Sequence, residues 1–341
     1  MELELVDPAD DGAFDAWYRT IAASYAHDWP HEPGWQPEEL RAAALDTATG
    51  DRVVLLAASD ETSQGAARQV VASASVTVHE HDNQHVAELT VDVDPAHRRR
   101  GAGSAILRAA EGLAAGQGRE LAIVEQSEPL SPLDRSPGKA FAHRHGFACS
   151  QVSLRMDLDL PVDERRLEEL EGSCARYAGG YRIISWSDRC PEELLRDRAL
   201  LAERMSTDLP LDELDRRPER WDLERVRATE ALVAKQNRTR FSAGAVEEQS
   251  GRLVAYSDLL LPRGAPEKAY QWDTLVMGEH RGHRLGTLVK IANLRALTSA
   301  SPATHRVTTE NAEDNSAMIS VNQALGFEVG GRIYGWQKRI R

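Results

Sequence analysis

Strand-like runs of alternating or apolar residues cover positions 3–6, 52–58, 70–78, 86–93 and 121–125, and an alternating run over 152–158 fits a half-buried strand. Between them, apolar residues at helical spacing predict helices over 13–25, 38–45, 104–115 and 139–145. Pro161 breaks the last strand, 163–176 reads as a charged connecting helix, and Gly179-Gly180 ends it. The order then repeats: a strand over 181–186, helices over 192–205 and 223–235, and strands over 241–247, 253–261 and 269–276. A helix over 286–300, a strand over 305–309, a helix over 316–325 and a strand over 331–338 follow. Residues 64–67 and 262–267 supply hairpin tips in matching places. Antiparallel hairpins mixed with helices indicate an α+β fold with a mixed, mainly antiparallel sheet, not regular βαβ alternation. The expected layout is an N-terminal domain over 1–158, a connecting segment over 159–180 and a C-terminal domain over 181–341.

One short pattern supports the duplication. Val91-Asp92-Val93 leads into Asp94-Pro95-Ala96-His97-Arg98-Arg99-Arg100-Gly101-Ala102-Gly103-Ser104 and then an apolar helix. Starting 183 positions later, Arg281-Gly282-His283-Arg284-Leu285-Gly286-Thr287 follows Thr274-Leu275-Val276 and opens another. Gly146-Phe147 lies 48 residues after Arg98, and Gly326-Phe327 lies 45 after Arg281. Two copies in the same order with the same flanks argue for a repeated domain.

Bulk composition narrows the function classes. A chain of 341 residues with 41% hydrophobic content has room for two ordinary cores. Its longest apolar runs are too short to span a bilayer, so no membrane partner is expected. The acidic start Met1-Glu2-Leu3-Glu4-Leu5 lacks the features of a secretory signal. Cys149, Cys174 and Cys190 have neither a disulfide framework's count nor metal-ligand spacing, which fits a cytoplasmic protein with reduced thiols. The formal charge of −13 weighs against nucleic acid and favours a cationic small molecule or peptide. Acidity for solubility alone explains the same charge. Oligomeric state is not encoded in any of these features.

A glycine loop between a strand and a helix exposes N–H groups without intrahelical partners, and the helix dipole makes it suit a phosphate or pyrophosphate. Gly101 and Gly103 allow close backbone approach, while Arg98, Arg99 and Arg100 bring positive charge. The same junction uses glycine for steric reasons alone. Arg98-x-x-Gly101-x-Gly103, with the later His145-Gly146-Phe147, resembles the GNAT superfamily of N-acetyltransferases. The resemblance covers both halves, a tandem two-domain layout similar to that of mycothiol synthases. It implies that acyl-coenzyme A, most simply acetyl-CoA, binds with its pyrophosphate on the loop and its pantetheine arm between splayed strands. The cofactor-binding residues it implies in the first half are Val91, Val93, Arg98, Arg99, Arg100, Gly101, Ala102, Gly103 and Ser104. In the second they are Leu275, Val276, Arg281, Gly282, His283, Arg284, Leu285, Gly286 and Thr287. Arg284 stands where the family has glycine, so its side chain obstructs close approach or itself meets a phosphate. Downstream, Asn311, Asn315 and Asn322 are implied polar contacts to the coenzyme; Asn315 serves equally well as a helix cap.

Acyl transfer to an ammonium group first requires removal of a proton. Glu88, Thr90 and Asp92 share one strand face, and counting back from Arg281 puts Asp273 on the matching face with Gln271 and Leu275. Glu88, Asp92 and Asp273 are the base candidates, with Glu310 a fourth, though a solvated strand face has the same pattern. The tyrosine that many family members place four residues before the Gly of Gly-Phe is replaced by Ala142 and Asn322, leaving Tyr334 or water as proton donor to the leaving thiolate. His79, His81 and His85 occupy a polar hairpin, where a turn is expected rather than a metal site. His97 and His280 are read as structural. Trp29, Trp35, Trp221 and Trp272 line a cleft or fill cores. The expected activity is direct acetyl transfer from acetyl-CoA to a primary amine of a small molecule in a ternary complex, the thioester carbonyl polarised by a strand N–H near Val93 or Val276. A non-catalytic acyl-CoA sensor or scaffold and a protein acetyltransferase are the alternatives.

Overall fold

The computed structural model describes residues 1–30, 32–60, 69–130, 137–208 and 214–341. The hairpin tip expected at 64–67 lies outside them. The elements follow in the order β1 (Glu2–Val6), α1 (Asp11–Asp28), α2 (Pro37–Leu45), β2 (Asp51–Ser59), β3 (Val70–His79), β4 (Val86–Val93), α3 (Ala102–Gly116), β5 (Leu121–Pro129) and α4 (Pro137–Arg144). Next come β6 (Ala148–Asp159), α5 (Glu164–Ala175), β7 (Tyr181–Ser187), α6 (Leu195–Asp208), α7 (Leu223–Lys235), β8 (Arg238–Glu247), β9 (Leu253–Pro262) and β10 (Lys268–Val276). The last are α8 (Leu285–Ala300), β11 (Arg306–Ala312), α9 (Ser316–Leu325) and β12 (Glu328–Arg339). No helix among the described residues is long and apolar enough to cross a membrane.

The chain forms two compact units, and they do not follow the halves of the sequence. Unit 1 is Met1–Val152 with Asp212–Arg216 and Ile333–Arg341; unit 2 is Ser153–Leu211 with Arg217–Arg332. In unit 1 the strands run β1-β2-β3-β4-β5, then residues 333–339 of β12 and 148–152 of β6. In unit 2, residues 328–332 of β12 adjoin 153–159 of β6, followed by β11-β10-β9-β8-β7. Adjacent strands are antiparallel except β4 with β5 and β10 with β11 among the registered pairs. Those two parallel pairs occupy equivalent positions in the two units.

Each sheet is covered on both faces. In unit 1, Leu56 and Ala58 of β2 pack with Ile106, Leu107 and Ala110 of α3, while Leu55 and Ala57 pack with Phe14 and Trp17 of α1. Burial on both faces turns β2 into a continuous apolar run, as covered strands do. In unit 2, Leu259 and Leu261 of β9 meet Ile291 and Leu294 of α8, and Tyr256 and Leu275 meet Leu195 and Ala199 of α6. Helix α5, expected as a connector, is part of that packing: Leu167 is buried beside α8, and Arg295 of α8 bonds Glu164 and Glu171 at 2.8 and 2.7 Å. Its apolar stripe needs a partner, so the charged outer face alone gave it the look of a linker.

Candidate active site

Both parallel pairs part before their strands end. β4 and β5 pair from Val86/Leu121 to Leu89/Val124, then run on to Val93 and Pro129 without pairing to each other. β10 and β11 pair from Lys268/Arg306 to Gln271/Thr309, then part likewise. The Asp94 N–H bonds Val71 O, so strand alternation turns the N–H groups of Val91 and Val93 away from β3 and into the gap. The Met277 N–H bonds Val254 O, which sends the Val276 N–H into its gap but commits Leu275 to β9. Val91, Val93 and Val276 are therefore placed to offer N–H groups to a ligand. The Leu275 backbone is not, and its side chain belongs to the α6 core.

The two loops share a backbone path that their sequences disguise. Arg99 (φ 65°) and Gly101 (φ 95°) are left-handed in the first; Gly282 (φ 87°) and Arg284 (φ 58°) are left-handed at the equivalent places in the second. Each loop thus gives one of its two left-handed sites to glycine and the other to arginine. The first helical bonds are Ala105 N–H to Gly101 O and Leu288 N–H to Arg284 O, leaving the N–H groups of Ala102, Gly103 and Ser104, and of Leu285, Gly286 and Thr287, without intrahelical partners. A Cβ on Gly101 would meet nothing within 4 Å, so the first loop is open. The second is flanked by Tyr177, whose carbonyl lies 2.8 Å from His283 Nδ1 and whose ring lies 5.8 Å from the Arg284 guanidinium. Arg284 therefore turns aside to an aromatic ring. Gly103 sits 3.2 Å from a Val93 methyl by the same ideal-Cβ measure, the close helix–strand contact its lack of a side chain permits.

The leading arginines have another task. Arg98 donates to both Asp28 carboxylate oxygens at 2.8 Å, to Ser24 Oγ at 3.1 Å and to Val93 O at 3.2 Å. Arg281 donates to Asp208 Oδ2 at 3.0 Å and to Val276 O at 3.3 Å. Each satisfies a carbonyl left open where the strands part and ties it to the last residue of α1 or α6. They are braces, which corrects the expectation that they meet phosphate; Arg99 and Arg100 remain for that. Ser104 is also engaged, its Oγ 2.9 Å from His145 Nε2.

The base candidates separate sharply. His79 lies 2.7 Å from Asp51 Oδ1 and 3.3 Å from Glu88 Oε1, and Arg216 also pairs with Glu88. Burial opposes the imidazolium, but the two carboxylates win and raise His79 to about 9. Burial likewise opposes ionised Glu88, yet His79 and Arg216 hold it at about 2. A carboxylate so paired is a poor base, so Glu88 leaves the candidate set. Asp92, bonded to Ser24, is pushed up to about 6 by its buried surroundings and by the Asp28 charge. That suits proton removal near neutrality.

In unit 2 a β-bulge intervenes. Gln271 opposes Leu259 and Thr274 opposes Ser257, so Trp272 and Asp273 share a place held by one residue on β9. Gln271 Nε2 donates to Ser257 Oγ at 3.0 Å, and Thr274 Oγ1 meets the same atom at 2.9 Å. Asp273 instead accepts from the buried Tyr256 hydroxyl at 2.9 Å, toward α6. The expected face shared by Gln271, Asp273 and Leu275 is corrected: the extra residue reverses the side-chain alternation at Gln271. Burial raises the Asp273 pKa, with Arg198 and the Tyr256 hydroxyl opposing it and Asp258 adding to it.

The asparagines turn inward. Asn315 caps α9, accepting from Met318 N at 3.2 Å, and Asn322 is fully buried and donates to Asn311 Oδ1 at 2.6 Å. Glu310 is exposed on β11. His79, His81 and His85 go to separate neighbours: Asp51 with Glu88, Gly50, and Asp215. The Tyr334 hydroxyl accepts from Lys139 of α4 at 2.8 Å, putting this tyrosine in unit 1. Sequence reasoning missed Tyr256, Arg198 and Arg240, which the bulge and α6 bring to Asp273. It also missed Lys290, signalled by a lone lysine in the apolar run Leu288-Val289-Lys290-Ile291; burial brings it down to about 7.

Two outcomes follow. In NMR titration His79 stays protonated through neutral pH with a midpoint near 9, and Glu88→Gln returns it toward the ordinary 6.5. The pair's stabilisation is full between the ordinary values of 4.5 and 6.5, is lost as pH rises through about 9, and is lost again as pH falls through about 2. Arg284→Gly relieves a left-handed side chain and raises stability to denaturant by about 0.5–1 kcal/mol; a loss instead would show that the Tyr177 contact outweighs the strain.

No functionally curated protein matches the chain. Residues 14–133 match the acetyltransferase (GNAT) family. A tandem GNAT protein from the clavulanic acid biosynthesis pathway is similar in structure over 100% of this chain and 99% of its own, with TM-score 0.80 and 26% identity. A GCN5-related N-acetyltransferase from Sphaerobacter thermophilus shares the fold over 100% of this chain and 96% of its own, with TM-score 0.64 and 18% identity. A putative acetyltransferase from Pyrococcus horikoshii covers 99% of this chain and 89% of its own at TM-score 0.58 and 9% identity, again a likeness of fold. With parted parallel strands and a helix N-terminus bearing free N–H groups in each unit, the chain carries a domain of the acetyltransferase (GNAT) family over residues 14–133 and is similar along its whole length to a tandem GNAT protein.

Proposed function

We propose that the protein transfers an acetyl group from acetyl-CoA directly to a primary amine of a small molecule, in a ternary complex, with the chemistry in unit 2. The observation that carries this assignment is the bulge where β10 leaves β11, which sets Asp273 beside a gap lined by the Val276 N–H. Bulges of this kind re-aim side chains next to active sites. Both loops hold coenzyme: the pyrophosphate meets the free N–H groups after Gly101 and after Arg284, and the pantetheine arm enters the parted strands. The acetyl group comes from the coenzyme, so the protein's part is to orient, polarise and move protons. Asp273 takes a proton from the ammonium, directly or through water. The freed amine attacks the thioester carbonyl, whose oxygen accepts from the Val276 N–H, the C–S bond breaks to release coenzyme thiolate, and the new amide nitrogen gives its extra proton to water. Water relays that proton to the thiolate in unit 2, where Asn322, bonded to Asn311, stands in place of a tyrosine. Unit 1 keeps an open loop at Gly101, which supports coenzyme binding there. Three unpaired cysteines fit a cytoplasmic setting.

Calorimetric titration with acetyl-CoA is expected to give two molecules per chain, and Gly101→Glu to remove one by clash and repulsion while the fold is kept. No binding to folded protein would withdraw the enzyme assignment, and a single site abolished by Gly101→Glu would move the chemistry to unit 1. Asp273→Asn is expected to lower turnover, read as free thiol release, by about 100-fold, with coenzyme affinity nearly unchanged. Wild-type turnover in that variant would remove Asp273 from the mechanism.

A further inference from the structure

The face of unit 2 that holds Asp273 gathers three buried arginines, against the acidic balance of the whole chain. β8 carries Arg238 and Arg240 at alternate positions, only 2% and 5% exposed, and α6 contributes Arg198 at 7%. The register Ser242–Asp258 and the 2.6 Å hydrogen bond from Ser242 to Asp258 put this side of β8 toward α6, where Arg198 reaches the same carboxylate at 2.9 Å. Arg198 also lies 3.9 Å above the ring of Tyr256, whose hydroxyl holds Asp273. Arg238 approaches the ring of Trp272, the bulge residue next to Asp273, which is 43% exposed. The positive charges of Arg198 and Arg240 are both felt at Asp273.

Two donors in this cluster are left over. Arg198 Nη1 and Arg240 Nε are buried without a hydrogen-bond partner, and the Arg240 guanidinium makes no hydrogen bond or ion pair among the described residues. A buried guanidinium whose N–H groups meet no acceptor is costly, and a ligand that supplies the missing acceptor removes that cost. A guanidinium fork matches a carboxylate in shape and number of donors.

We propose that the acceptor amine bears a carboxylate, and that Arg240, helped by the free Nη1 of Arg198, binds it on the α6 face while Asp273 receives the ammonium end. The substrate class is then a zwitterionic amino acid or short peptide-like acid rather than a polycation. This rests on the assignment of the acceptor site to unit 2. The net charge of −13 is a sum over the whole chain and does not describe this cluster.

The test compares acid and amide partners of equal shape: glycine with glycinamide, β-alanine with β-alaninamide, and glycylglycine with glycylglycinamide. Each is titrated calorimetrically into the full chain saturated with CoA, and each is assayed for thiol release with acetyl-CoA. At least one acid is expected to bind and turn over 10-fold or more better than its amide. Arg240→Gln should erase that ratio by raising KM with little change in kcat or acetyl-CoA affinity, and Arg240→Lys should restore part of it. Arg240→Met, which removes the donors left without an acceptor, should leave Tm equal or higher in the absence of ligand, so a folding defect does not mimic the binding result. Equal or better binding of every amide, an unchanged ratio in Arg240→Gln, or failure of all three acids to bind would overturn the proposal. Acetyl-CoA binding measured alongside keeps that result separate: its loss defeats the acyltransferase assignment, whereas its retention with no acid preference defeats only the carboxylate site.

Discussion

Every buried backbone N–H and C=O in a sheet needs a partner, and each unit departs from that rule where its parallel strands part. Where β4 leaves β5 and β10 leaves β11, a strand in the middle of a sheet presents open polar groups. The departure is held by a brace that reaches back five residues: Arg98 to Val93 O and Arg281 to Val276 O, each anchored on the aspartate that ends α1 or α6. Carbonyls at the strand ends are thereby satisfied, while N–H groups at Val91, Val93 and Val276 stay available. The helix N-terminus behind each brace adds three more free donors. Loop, gap and brace form one device.

The two copies of that device differ in ways that follow from steric and electrostatic cost. Both loops need two left-handed residues, and each assigns glycine to a different one, so backbone geometry is kept while the glycine pattern changes. In unit 1 the strand before the loop stays in register with β3, and its outward carboxylates divide between Glu88, fixed by His79 and Arg216, and Asp92, raised by burial. In unit 2 a bulge breaks the register and brings Asp273 to Tyr256 and Arg198. Similar folds therefore carry different proton chemistry.

Much of the fold was legible in the sequence. Alternation and helical spacing located the elements, and the repeated motif announced the duplication, because local periodicity reports which faces are buried. The loop glycines pointed the same way. Less of the site was legible. Glu88 and Asp92 look alike as alternate acids on one strand, yet one sits between a histidine and an arginine that come from 9 residues before it and 128 after it. Arg98 reads as a phosphate ligand beside a glycine loop, but Asp28, 70 residues away, claims it.

The sequence by itself determined two α+β repeats, two strand–loop–helix junctions and the residues available to them, since these depend on neighbours a few positions apart. Only the tertiary structure decided which of those residues are free. The bulge at Trp272–Asp273 reverses a face that strict alternation assigns, and no residue type announces it. The division into units, with residues 333–341 grouped with the first 152, is equally silent in the sequence, because strand pairing is long-range and pairs of similar alternation look alike. The arginines gathered around Asp273 are a third case: net charge is a sum over the whole chain, whereas a field at Asp273 depends on the few charges that folding brings within reach.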